Sequence, residues 1–230
     1  MTFCTAATAQ DKMKILLETK DIVFAVKPAG VLSEKSEDGC DAVSLLELET
    51  GSEIFPLHRL DRAVGGVMAF AKNRKAAGAL SERGAIGKIY IAAVHGKTAE
   101  SGEMRDLLFK DSRANKSYVV KRMRRGVKEA SLEYETLGYS EDVSLVKISL
   151  FTGRSHQIRV QFSSRSHPLV GDGKYGASDG VPIALFCSAV RIPDLYGKTY
   201  EASALPVLTA YPWSLFGADV FNLSDIVRGS

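Results

Sequence analysis

The chain has 230 residues, 45% of them hydrophobic and 25% charged, with a formal net charge of +3. That length suits one sizeable domain or two small ones, with a core that needs no disulfide or metal staple. No run approaches the ~18 apolar residues of a membrane span, and the start MTFCTAATAQDKMK lacks the basic and then apolar order of a secretion signal. Cys4, Cys40 and Cys187 are far apart and form no CxxC, and the four histidines show no ligand spacing. These features predict no metal site and a reducing, cytoplasmic setting.

In chain order, Asp21–Lys27 (DIVFAVK) reads as a strand stopped by Pro28, Ala29 and Gly30. Asp41–Glu49 has an acidic start and apolar residues at helical spacing. Gly66–Ala71 reads as a buried strand, and a helix follows over Asn73–Arg83 with Asn73 as its cap. Strand formers dominate Lys88–His95, Ser117–Met123, Ala130–Leu137 and Val143–Phe151. The last two face each other across a hairpin turn at Gly138–Asp142. Ser155–Phe162 could open a helix capped by Ser155, and Leu185–Ile192 is a final strand before Pro193. Hairpins outnumber strand–helix alternation. The expected class is therefore α+β, a mixed and largely antiparallel sheet with flanking helices. The stretch after Tyr200 shows no clear pattern.

Charge is unevenly placed. Between Lys110 and Lys128 there are eight basic residues, Arg122, Arg124 and Arg125 among them, and one acid, Asp111. Alone, such a run is either a solvated face or a surface that tracks phosphates. Three segments concentrate reactive side chains: FPLHRLDRAVGGVMAFAK (55–72), KIYIAAVHG (88–96) and TGRSHQIRVQF (152–162). The first sets Asp61 between Arg59 and Arg62, ahead of Gly65 and Gly66. Taken singly, that cluster reads as a surface salt-bridge group, the glycine pair as a turn, and Arg154, His156 and Arg159 as a capped surface helix.

Together they resemble the RluA-type pseudouridine synthases. HRLDR followed by a strand ending in AK is similar to that family's central motif. DIVFAVKPAGVL resembles its opening strand and lysine-proline-glycine turn, KIYIAAVHG its lysine-X-tyrosine strand, and TGRSHQIRVQF and HPLVGDGKYG (167–176) its two later motifs. Five matches in family order agree with one another where any one would be weak.

The resemblance implies the pseudouridine synthase fold, a mixed sheet crossed by the active cleft. It also implies isomerisation of uridine in structured RNA, ribosomal or transfer, without cofactor or metal. Asp61 matches the catalytic aspartate, Tyr90 the active-site tyrosine, Arg159 the basic residue that pairs with the aspartate, and Arg59 the arginine that fills the gap left by a flipped base. Breaking the glycosidic bond develops positive charge at C1′, which a carboxylate can stabilise or capture. A permanently cationic arginine keeps such a carboxylate ionised beneath a nucleobase. Tyr90 offers a face for the extruded uracil. RNA contact is expected from Arg59, Arg62, Arg154, Arg122, Arg124 and Arg125, and His58 and His156 are expected to be structural hydrogen-bonding groups.

Two departures stand out. The family places threonine, serine and glycine one residue after HRLDR, where this chain has Val64, Gly65 and Gly66, so two hydroxyls beside Asp61 are lost. Gln161 replaces a frequent histidine. About 20 residues precede Asp21, too few for the S4-like RNA-binding domain that many relatives carry. The expected layout is an N-terminal extension over 1–20 and a lone catalytic domain over 21–230, acting as a monomer away from membranes. The rivals are an RNA-binding protein of this fold without catalysis, and a glycoside hydrolase, for which Asp172 is the nearby candidate second acid.

Overall fold

Ile22–Ala25 is a run of four apolar residues, and it lies completely buried at the heart of a strand, Ile22–Lys27 (β2). Continuous rather than alternating hydrophobicity is what a strand covered on both faces requires. In the computed structural model, which describes residues 13–37, 39–82, 86–193 and 197–227, the chain divides into two compact units. One comprises Met1–Gly87 with Cys187–Ala204, the other Lys88–Phe186 with Leu205–Ser230.

In the first unit β2 pairs antiparallel with β1 (Lys14–Glu18) on one side. On its other side it pairs with β4 (Gly65–Ala71), whose seven residues are all buried. The short β3 (Phe55–Pro56) joins β4, and β10 (Leu185–Pro193) continues the sheet and pairs antiparallel with β11 (Thr199–Ser203). Two helices serve this unit. α1 (Ala42–Thr50) starts at Asp41, whose Oδ1 accepts from Ser44 N at 2.8 Å, and ends at Gly51 in the left-handed conformation that a side chain would strain. α2 (Arg74–Glu82) is capped by Asn73, whose Oδ1 accepts from Ala76 N at 2.8 Å. The expected end of that helix at Arg83 lies outside the described residues, as does Cys4. The strand β1 falls before Asp21, where the sequence predicts no element.

The second unit is an antiparallel sheet in the order β5 (Gly87–His95), β9 (Val143–Leu150), β8 (Val127–Ser140), β6 (Ser101–Asp111), β7 (Lys116–Val120). The β8–β9 turn is tighter than the expected five residues. Glu141 and Asp142 take positive φ of 50° and 59°, the twist that a two-residue hairpin needs. The helix α3 (Gln157–Ser163) packs near β6 and β7. The stretch after Leu205, unreadable from its pattern, brings Trp213, Phe221 and Ile226 onto Ile91, Ala93, Val143 and Leu145 in the main core of this unit. It does so through short 3-10 turns and one five-residue helix, α4 (Leu223–Val227), too brief for a visible periodicity. The largely antiparallel α+β class expected from the hairpins is the class observed. Among the described residues no helix is long and apolar enough to cross a membrane.

Candidate active site

The register of β2 and β4 decides what sits beneath Asp61. Lys27, the last residue of β2, lies opposite Gly66, so its side chain ends under the turn that carries Asp61, Arg62 and Ala63. The ammonium is fully buried and donates to Val31 O at 2.7 Å, Pro28 O at 2.8 Å and Arg62 O at 3.4 Å. Burial pulls its pKa down to about 8, and the nearby Asp61 carboxylate pulls in the opposite direction. Three further bonds fix the loop. Ser33 Oγ donates to Leu60 O at 2.8 Å and accepts from Leu60 N at 3.0 Å, while Gly30 N donates to Arg62 O at 2.7 Å.

The turn after HRLDR closes without the two hydroxyls. It does so through backbone, Val64 N donating to Asp61 O at 2.9 Å, and Val64 is buried as a core residue. Gly65 and Gly66 are strand residues rather than a turn. At Gly66, with φ of +134°, a Cβ would lie 2.4 Å from Cys187 N, so only glycine lets β4 approach the β10 backbone this closely. Asp61 itself is half-buried, while Arg59 and Arg62 are exposed. Arg59 reaches Glu34 at 2.9 Å and Arg62 donates to Gly30 O at 2.9 Å, as surface groups do.

In the second unit, Arg159 sits on α3 as a buried cation. Its Nε donates to Asp172 Oδ2 and its Nη2 to Asp172 Oδ1, both at 2.7 Å, a bidentate fork. The Asp172 carboxylate is 1% exposed. A general acid needs access to substrate, which an ion-paired, covered carboxylate lacks, so Asp172 does not fit the hydrolase's second acid. α3 does not start as expected. His156, not Ser155, holds the cap position, with φ of 54° and no side-chain cap. Gln157 organises the approach instead, its Oε1 accepting from Thr152 Oγ1 at 2.8 Å and from Arg154 N at 3.0 Å. Gln161 is buried and donates to Asp106 Oδ2 at 2.7 Å, tying α3 to β6.

Tyr90 stands on β5 opposite Ile148 of β9 and is only 5% exposed. Arg154 is partly exposed and donates from Nε to Glu129 O at 2.8 Å. The basic run spans the end of β6, all of β7 and the start of β8, with Arg113 in the β6–β7 turn and Lys121, Arg122, Arg124 and Arg125 in the connection between β7 and β8. Seven of its eight cations are exposed, including Arg122, Arg124 and Arg125, and Lys116 is half-buried. The one acid, Asp111, turns its Oδ1 to Arg113 N at 2.9 Å and Ala114 N at 3.1 Å, shaping the hairpin tip. Arg124 lies over the Phe109 ring at 4.9 Å, and Tyr118 and Met123 are exposed between the cations.

Lys27, Ser33 and Tyr175 were missed as functional candidates. A lysine closing an otherwise apolar, doubly covered strand was the available signal for the first. The other two act through partners distant in sequence and leave no local trace.

A family model described as RNA pseudouridylate synthase matches residues 21–164. The chain is 34% identical over 182 residues to the tRNA pseudouridine synthase C of Haemophilus ducreyi, covering 72% of this chain and 74% of that one. It is 32% identical over 178 residues to the dual-specificity RNA pseudouridine synthase RluA of Yersinia pestis, covering 75% and 86%. Among solved structures, the human RNA pseudouridylate synthase domain containing 1 shares the fold with a TM-score of 0.76 at 21% identity, over 98% of both chains.

Proposed function

Because the chain belongs to the RNA pseudouridylate synthase family and is an isomerase of uridine in RNA, we propose that its substrate is a structured transfer or ribosomal RNA and that Asp61 acts at ribose C1′. The substrate class follows the relatives, one named for transfer RNA and one for dual specificity.

In this mechanism the N1–C1′ bond breaks and the Asp61 carboxylate stabilises or captures the centre that forms. The uracil turns, a C5–C1′ bond forms, the C5 proton leaves and N1 gains a proton. Atoms and electrons balance without a redox partner, so no cofactor is called for. The observation that carries the reading is the Asp61 turn. It is held rigid by buried bonds from Lys27 and Ser33 while Asp61 itself stays half-exposed. A nucleophile needs that combination of fixed geometry and access.

By the family resemblance, Arg159 is the reaction's permanent cation and Tyr90 the residue for the uracil. Arg59, exposed and held only by a surface ion pair, swings to fill the place of the flipped base. Arg62, Arg154, Arg122, Arg124 and Arg125 take the phosphates. The protein works as a monomer in the cytoplasm, where its RNA is. Asp61→Asn keeps size and removes the charge. It is expected to abolish pseudouridine formation on total cellular RNA and to retain RNA affinity. Product at near wild-type rate would sink the assignment of Asp61.

A further inference from the structure

In the second unit, one short segment, Asp172–Tyr175, holds several buried polar contacts at once. Asp172 holds the Arg159 fork from one end of it, with both bonds at 2.7 Å. Tyr175, at the other end, presents its ring to the Arg159 guanidinium at 5.2 Å. The same tyrosine grips the basic arm. Its hydroxyl accepts from Ser117 N at 2.8 Å and lies 3.2 Å from Ser117 O, and Lys116 Nζ is 5.0 Å from its ring. His156 Nδ1 completes the set at 3.0 Å, and Ser117 Oγ donates to Ser155 O at 2.6 Å.

The segment is stiff. Tyr175 N and Ala177 N both donate to Asp172 O, at 2.9 and 3.1 Å. A Cβ on Gly171, at φ +77°, would meet Pro182 O at 2.3 Å, so the chain enters the segment along one path. Every member of the set is buried or half-buried except the outward cations of the arm. A bidentate pair and a doubly bonded hydroxyl at the two ends of one tight turn cannot move independently.

We propose that Asp172 and Tyr175 are positioning residues that set the Arg159 guanidinium and the root of the β6–β7 arm as one unit. An RNA strand gripped by the arm then acts on the arginine through Ser117 and Tyr175. This rests on the reading that Arg159 serves the reaction and that the arm meets RNA.

Tyr175→Phe keeps the ring under Arg159 and deletes the bonds to Ser117 and His156. At saturating RNA, its single-turnover rate should fall by about tenfold, a fraction of the ~10²-fold that misplacing a catalytic group costs. Asp172→Asn should lower the same rate by more, with RNA affinity within about twofold, and the two changes together should fall short of the product of their effects. Structural readouts decide the clamp without activity. Asp172→Asn should speed hydrogen exchange at the Ser117 amide, and Tyr175→Phe should shift the Arg159 Nε–H resonance. Asp61→Asn is assayed beside them. An active Asp61→Asn defeats the proposed mechanism alone, and the exchange and resonance data still judge the clamp. If Asp172→Asn does not fold, Tyr175→Phe, which keeps the ring volume, carries the test. A Tyr175→Phe protein with unchanged saturated rate and an unmoved Arg159 resonance overturns the proposal.

Discussion

Each unit buries one cation at the centre of its candidate site, and the two are stabilised in opposite ways. Lys27 is wrapped in backbone carbonyls, with the Asp61 carboxylate acting on it only as a neighbouring charge. Arg159 is matched to a carboxylate by a two-point fork. The chemistry of the side chains explains the division. A compact ammonium satisfies its three donors with a ring of carbonyls and gives up its proton when the environment is dry enough. A guanidinium keeps its charge at any accessible pH and demands planar acceptors. The Lys27 site therefore responds to pH and to Asp61, whereas the Arg159 site responds to the loss of its partner.

The largest consequence concerns that partner. Asp172→Ala removes the two-point fork from a buried Arg159, and breaking a buried pair on one side costs about 3–5 kcal/mol. Denaturant unfolding should show that loss, and a cost under about 1 kcal/mol, the range of surface pairs, would mean the fork is not dry.

A second test uses pH. Lys27 binds its proton less tightly in the folded protein, at about 8, than in the unfolded chain, at 10.5. Between those values the unfolded chain holds a proton that the folded one has released, so stability rises with pH across the window. At 1.36 kcal/mol per unit, the gain of wild type over Lys27→Met should reach about 3 kcal/mol by its upper end. Paired unfolding curves from pH 7 to 10.5 measure it, and a flat difference would place Lys27 in a wetter site than its bonds suggest. Below pH 8 both states are protonated and the difference should level off.

The smallest effect links the lysine to the reaction. Asp61 raises the Lys27 pKa against burial, so Asp61→Asn should lower it further, by a fraction of a unit, as followed by the Cε chemical shift. An upward movement would reverse the sign assigned to the pair.

Much of the fold was legible because its central strands are simple. IVFA and GVMAFA are continuous apolar runs between turn residues, and buried strands demand them. The outer strands obey weaker rules. β6, with Glu103, Arg105 and Lys110 along it, is half-covered and reads as neither strand nor helix. Within the basic run the strand expected over Ser117–Met123 ends at Val120, where Lys121, Arg122, Arg124 and Arg125 form the connection to β8. Ser155 was a sound cap by composition, but the His156–Tyr175 bond and the Gln157 amide already hold the approach to α3, and tertiary contacts overrode the local preference. HRLDR singles out Asp61, the residue proposed to act at C1′. The partner that grips Arg159 could not be read locally, since it lies 13 residues on, beyond the end of the helix.

The hydroxyl of Tyr175 has a second consequence, for solubility. β7 is the last strand in its sheet, and Ser117 stands opposite Lys110 as a non-hydrogen-bonded pair, its N–H and C=O turned away from β6 and onto the Tyr175 hydroxyl. Outward amides and carbonyls on a terminal strand are a template for a foreign chain. Occupied by a phenol, they offer an incoming strand no first bond to nucleate on, and the adjacent lysines repel a second copy of the same arm. An exposed ribbon of Tyr118 and Val119, sticky enough to hold a nucleic acid, is in this way kept from holding itself.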